Sequence, residues 1–276
     1  MINAWKRYWF APGRVVDLAA LRIALVASEL LFYFPALRGE LTLSRQSAHA
    51  FVPLPALKLL LLPLLSWGAR PGPRMLTTIW CLGIIAGILA LIGLAARPAL
   101  LLFAWATTIL IAHMYSYGTV HHPEALVVVS LWLLAFSPCD AALSVRAIRL
   151  RINESLARMK FVPHRTVAPA TSPFATWPLR TIQWLICLVY LSAAIAKLTN
   201  GGEAWFGAST LRFYLIQDGL NQSRHLGLIA ASHPGLLPVL AVLTVFIELA
   251  FSLVMFFPVL TWLFVPLGAA MHTGVF

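Results

Sequence analysis

In the stretch YLSAAIAKLTNGGEAW, Tyr190, Ala193, Ala194 and Lys197 stand at i, i+3, i+4 and i+7. A helix through them puts a phenol and an amine on one face, two turns apart. The alanines between them are small enough for another helix or a ligand to come close. A partly desolvated amine gives up its proton more readily and can serve as a general base. The competing reading is a lysine that snorkels, its stem in lipid and its charge in water. Against snorkelling, Lys197 has no polar neighbours on its N-terminal side and no second lysine or arginine beside it to mark a cytoplasmic boundary.

Other ionisable residues lie in or at the ends of apolar runs, where charge is costly and functional roles concentrate. They are Asp17, Arg22 and Glu29 in the first run, His113, the doublet His121 and His122, Glu124, Glu248 and His272. Arg22 and Glu29 are seven apart and share a face, which points to structural pairing with other helices inside a bundle. Glu248 stands near the middle of its run and is neutral, paired or part of a site. Cys81, Cys139 and Cys187 are odd in number and lack CxxC spacing, and two lie inside apolar runs, which argues against a disulfide framework, a zinc site or a dithiol centre.

The elements that must hold these groups follow from composition. Of 276 residues, 61% are hydrophobic and 11% charged, whereas a soluble domain carries about 25% charged residues. Runs such as MLTTIWCLGIIAGILALIGLA are apolar all round and long enough for a bilayer, which takes roughly 20 helical residues to cross. Open sheets would leave backbone groups unpaired in lipid. The fold class expected is therefore all-α, a polytopic integral membrane helical bundle of about six to eight transmembrane helices forming one domain over 1–276.

Spans are expected at Val15 to Leu37, 75–95, 99–116, 123–138, 178–198 and 236–257. The first has Lys6, Arg7 and Arg14 before it and no small-residue cleavage pattern, so it reads as an uncleaved signal anchor. HAFVPLPALKLLLLPLLSW is broken by Pro53, Pro55 and Pro63 and reads as a re-entrant or interfacial element. A last apolar run starts near Val259 and reaches Phe276 without a polar flank, which reads as a chain ending short of its natural C-terminus.

The formal net charge of +11 would raise the question of nucleic acid in a soluble protein. Here the basic residues gather at helix ends and in one loop, as the positive-inside rule and anionic lipid produce, so nucleic acid is not an expected partner and the lipid bilayer is. The loop at 139–177 holds Arg146, Arg149, Arg151, Arg158, Lys160 and Arg165 against Asp140 and Glu154, and is expected to be cytoplasmic. Its part SVRAIRLRINESLARMK suits a helix lying on the inner leaflet, and VAPATSPFATWP an irregular connector. Counting spans outward puts the His121/His122 turn and the loop after Lys197 on the outer side of a multi-pass cell-membrane protein. The basic segment from Arg38 to Arg74 runs against this, and a crossing at 49–67 would flip the N-terminus.

Tyr190, Ala193, Ala194, Lys197 and Leu198, followed by Trp205 and Gly207, resemble the Y-x-x-A-G-x-x-K-L signature, with its following tryptophan and glycine, of the horizontally transferred transmembrane domain family, to which the vitamin K-dependent γ-glutamyl carboxylase belongs. VDLAALRIALVASELLFYFP is similar to that family's first helix, HHPEALVVVSLWLLAFSPCDAALSV to its histidine-led helix and SPCD-like turn, and the run with His272 to its later histidine-bearing helix. The resemblance covers nearly the whole chain in order.

What it implies is a base at Lys197 that helps vitamin K hydroquinone, or menaquinol, react with oxygen so that a glutamate γ-carbon in a secreted peptide is carboxylated. His121 or His122 matches the carboxylase's histidine, and Tyr190 and His272 are the cofactor-binding candidates. Ala194 departs from the family's usual glycine, the lysine is single where the animal enzyme has a pair, GGE lengthens the gap to Trp205, and no large extramembrane region follows the last helix. Fold transfers more safely than reaction. Two classes stay open: a quinol-dependent carboxylase-type lyase, and a non-enzymatic membrane component in the maturation of, export of or immunity to a secreted peptide. A transporter ranks third, because neither an inverted repeat nor matched broken helices are visible in the sequence.

Overall fold

The computed structural model describes residues 2–41, 48–61, 70–118, 122–159, 170–221 and 226–275. Among them the backbone is helical almost throughout, and the only sheet is an antiparallel pair, Gly13–Arg14 against Thr171–Ser172. The all-α expectation holds. Four helical segments, Pro73–Ile92, Ala96–Tyr115, Pro173–Phe206 and Leu237–Met255, are long and apolar enough to cross a membrane. Glu124–Ala135 and Pro258–His272 are apolar but shorter. The expected span at 123–138 thus stops at Ala135, where a turn through Ser137 and Pro138 takes over.

By its contacts the chain divides into two compact units, Met1–Ile182 and Gln183–Phe276. The first opens with helix α1 (Ile2–Phe10) and α2 (Val15–Ser28), which runs through a π-helical turn at Glu29–Tyr33 into α3 (Phe34–Glu40). Of the proline-broken stretch, the described part is a 3₁₀ turn at Ala48–Ala50 and the short α4 (Pro55–Leu61); residues 62–69 lie outside the described residues. Then follow α5 (Pro73–Ile92), α6 (Ala96–Tyr115), α7 (His122–Ala135), α8 (Val145–Met159) and the start of α9 (Pro173–Ala196).

The central post of this unit is α6, 72% buried over its apolar window against 33% for α5. Small residues make the α5 packing possible. Gly83 and Gly87, four apart, face the rings of Phe34 and Phe103, and a Cβ at either would come within 3 Å of a ring carbon (2.6 Å to Phe34 Cε1, 2.9 Å to Phe103 Cε2). The two rings stack with centroids 5.1 Å apart.

At one end of the unit, the turn after α7 is held by a cation. Arg22 is fully buried, and its guanidinium donates to the carbonyl oxygens of Cys139 at 3.1 Å and Leu143 at 2.5 Å. Asp140 in the same turn pairs with Arg97 at 3.3 Å and with Arg146. Ser144 then caps α8, its hydroxyl accepting from the Ala147 N–H at 3.0 Å. The expectation that Arg22 pairs inward is met, with carbonyls rather than a carboxylate as partners. Glu29 is also buried, but its Oε2 has no hydrogen-bond partner among the described residues.

The second unit contains the rest of α9, a π-helical turn at Lys197–Gly201, α10 (Gly202–Phe206), α11 (Ser209–Asn221), α12 (Leu226–Ala231), α13 (Leu237–Phe251) and α14 (Thr261–Val275). Its apolar core is Trp205, Leu211, Leu215, Leu237, Ala241 and Val245 with neighbouring alanines. Trp205 ties α10 to α13 by donating its indole N–H to the Ala241 carbonyl at 3.1 Å.

Candidate functional site

Four of the singled-out side chains meet within the second unit, and the helix spacing explains how. The face of α9 carrying Tyr190, Ala194 and Lys197 turns inward, with Ala194 fully buried. Small size at that position lets α9 lie close to its neighbours. Where α9 should end, Lys197 begins the π-helical turn, a wider winding that re-aims side chains and recurs at functional positions.

Lys197 does not reach into water alone. Its Nζ donates to both carboxylate oxygens of Glu248, at 2.7 and 2.9 Å, and lies 4.8 Å from the centroid of the Trp205 ring. The lysine side chain is 19% exposed and the glutamate 7%, so the pair is largely withdrawn from solvent. A charge at that depth persists only when paired and hydrogen-bonded. Of the three states open to Glu248 from sequence, the structure displays the paired one.

One layer along, Tyr190 stacks on Phe251 with centroids 4.3 Å apart and planes 9° from parallel. Its hydroxyl lies 2.9 Å from His272 Nε2. With Lys197 beside Glu248 and Tyr190 beside Phe251, α9 and α13 run antiparallel through the site. Gly268 gives the phenol room, since a Cβ there would stand 3.0 Å from Tyr190 Oη. An apolar cavity of about 300 Å³ opens in the same unit, lined by Leu211, Leu215, Leu243, Thr244, Ile247, Leu267 and Met271 among others. Ile247 and Met271 are the immediate chain neighbours of Glu248 and His272.

The structure thus brings together Tyr190 and His272, named separately in sequence, and joins Lys197 to Glu248. His121 lies outside the described residues, as does the side chain of His122; both belong to the first unit. His113, in that unit, is buried against the rings of Phe51 and Tyr117, with Nε2 unpartnered among the described residues. Sequence reasoning missed Phe251 as the platform under Tyr190 and Trp205 as the lid over Lys197. The Lys197–Glu248 link had a signal: Glu248 is the only acidic residue from Leu236 onward, and Lys197 the only lysine after Lys160. The described residues contain no group of three or more His, Cys, Asp or Glu side chains able to hold a metal, and Cys81, Cys139 and Cys187 are free. No protein family, curated protein or solved structure matches the chain.

Proposed function

We propose that this chain is a multi-pass protein of the cell membrane, with about six to eight spans, whose C-terminal unit binds a lipid-soluble quinol beside Lys197 for oxygen-dependent carboxylation of glutamate in a peptide. The observation behind the reading is the meeting of Tyr190, Lys197, Glu248 and His272 from three helices beside an apolar cavity. The cavity is lined by Ile247 and Met271, the chain neighbours of Glu248 and His272, rather than by the four protic groups themselves; an apolar space of about 300 Å³ next to protic groups is within the usual range for small-ligand sites and suits a ring bearing phenolic oxygens. The resemblance of Tyr190, Ala193, Ala194, Lys197 and Leu198 to the carboxylase family's signature points the same way.

Vitamin K hydroquinone or menaquinol, when bound, would supply the acidic hydroxyl and the electrons for oxygen. Lys197 Nζ is the proton acceptor in this reading and must first be neutral. Glu248 provides for that, because transfer of one proton along the 2.7 Å hydrogen bond turns the ammonium–carboxylate pair into an amine and a carboxylic acid. The net charge of the site is the same before and after. Tyr190 and His272 hold each other and offer a donor and an acceptor for orienting an oxygen substituent.

Purified protein should therefore consume a reduced naphthoquinone and oxygen. Lys197→Arg is the discriminating variant: it keeps a cation for Glu248 but cannot act as a base near neutral pH. Turnover should fall by about 100 to 10,000-fold, the usual loss on removing a positioned general base. Wild-type protein inert toward several naphthoquinols, with a glutamate-containing peptide present, would remove the enzymatic reading.

The completeness of the Lys197 contacts favours a second reading. An ammonium held by both carboxylate oxygens and covered by an indole is fully satisfied as a cross-link. A non-enzymatic component acting in peptide maturation, export or immunity needs nothing more of it. In that case Lys197→Arg leaves function in cells intact.

Orientation has its own test. With the native cysteines replaced, single cysteines at Ser155 and Ser209 should react with an impermeant maleimide on intact cells at Ser209 only. Labelling confined to Ser155 would invert the topology.

A further inference from the structure

Helix α8 presents an apolar stripe outward rather than to the core of its unit. Ile148, Ile152 and Leu156, at i, i+4 and i+8, are 57%, 53% and 49% exposed, while Ala147 on another face is 8% exposed. Such spacing keeps the three side chains on one side of the helix. Arginines border the stripe: Arg149 falls on one flank and Arg151 on the other at 100° per residue. Over Val145–Met159 the charge is four arginines against one glutamate.

Each flank also has a hollow within the first unit. On one side a cavity of about 760 Å³ is lined by Arg14, Val15, Val16, Ile148, Leu150 and Arg151, among others. On the other a smaller cavity, about 300 Å³, is lined by Gly93, Leu94, Val145, Arg146, Arg149 and Leu150 with Ala95. Arg14 stands 3.8 Å from Asp17 and Arg146 pairs with Asp140, but Arg149 and Arg151 have no ion-pair partner among the described residues. Each hollow therefore combines aliphatic walls with one uncompensated guanidinium. A basic, amphipathic helix of this kind lies in the membrane interface. Arginine's planar fork suits phosphate, and aliphatic walls suit an acyl chain.

We propose that α8 and its two flanking hollows bind anionic phospholipid, with a phosphate on Arg151 at the larger hollow and on Arg149 at the smaller. Charge complementarity selects this occupant over a zwitterionic lipid, whose own cation offsets its phosphate. The arginines contribute the selectivity and the Ile148 stripe the depth. The proposal stands independently of any quinol chemistry in the second unit.

The test is titration of full-length, detergent-solubilised protein with phosphatidylglycerol or phosphatidylcholine of identical chains, with lipid occupancy read by native mass spectrometry. Phosphatidylglycerol should bind at least about fivefold more tightly at each hollow, the weight that one surface arginine gives to anionic lipid. Arg149→Gln with Arg151→Gln should weaken phosphatidylglycerol binding about fivefold at both hollows and leave phosphatidylcholine unchanged. Each single change should cost about fivefold at its own hollow, which keeps the test open if the double variant does not fold. Inorganic phosphate should not displace the lipid. Equal affinity of the wild type for the two lipids, an unchanged preference in the folded variants, or displacement by phosphate alone would each overturn the proposal.

Discussion

Lys197→Met lowers the stability of the protein by about 3–5 kcal/mol, because it leaves the carboxylate of Glu248 buried with no cation. This is the expected result of breaking a withdrawn ion pair from one side. On sequence alone, replacing Lys197 by alanine looks harmless to stability, since it removes the only amine on its face and leaves no evident buried unpaired charge. The structure corrects that: a glutamate 7% exposed, on a different helix, depends on it. Glu248→Leu should cost less, since the freed ammonium, 19% exposed, retains the Trp205 ring and can reach toward solvent. Lys197→Met combined with Glu248→Leu should recover most of the loss, because exchanging both charges for apolar groups of similar volume is often neutral or better. Unfolding midpoints of the four proteins in one detergent form the double-mutant cycle. If the single and double changes prove additive, the pair is not an energetic link.

Arg22→Leu is expected to be damaging in the first unit, by a different route. The guanidinium donates to the Cys139 and Leu143 carbonyls; the buried Cys139 acceptor left unsatisfied costs about 1–3 kcal/mol, and the carbonyl of half-exposed Leu143, which can turn to water, adds less. Loosening that turn should also free Asp140 and Ser144, which set the start of α8. Arg22→Lys should recover only part of the loss, since one ammonium lacks the fork that reaches two carbonyls. Protease cleavage between Cys139 and Ala147 should appear in Arg22→Leu and not in the parent. A parent-like melting curve together with a protected turn would show that Arg22 is not what holds it.

Much of this was legible in the residues, for physical reasons. Apolar runs of bilayer length announced α5, α6, α9 and α13 because lipid permits few alternatives to helix. The spacing from Tyr190 to Lys197 announced a shared face because two turns of helix bring position i+7 nearly back over i. Pairings were not legible. Tyr190 with His272 and Lys197 with Glu248 each join residues more than fifty apart, and no periodicity within one helix reports which neighbour it meets. Arg22 reads from sequence as a residue paired with other helices inside the bundle. The backbone carbonyls that satisfy it are present at every position of every sequence and leave no mark in composition. The end of α7 at Ala135 escaped the hydropathy pattern, because Phe136 continues the apolar run while Ser137 and Pro138 turn the chain.

The π-helical turn at Lys197–Gly201 leads into a corner. It widens the end of α9, and Gly202 directly after it leaves helical geometry at φ +43° and ψ −132°. That corner lies between the lysine and the indole that covers it. Gly202→Ala should strain the corner, because a Cβ disfavours positive φ, and loosen both the cover of the lysine and the indole's bond to the Ala241 carbonyl. The lid over the amine is therefore set by one backbone angle as much as by the side chains it joins.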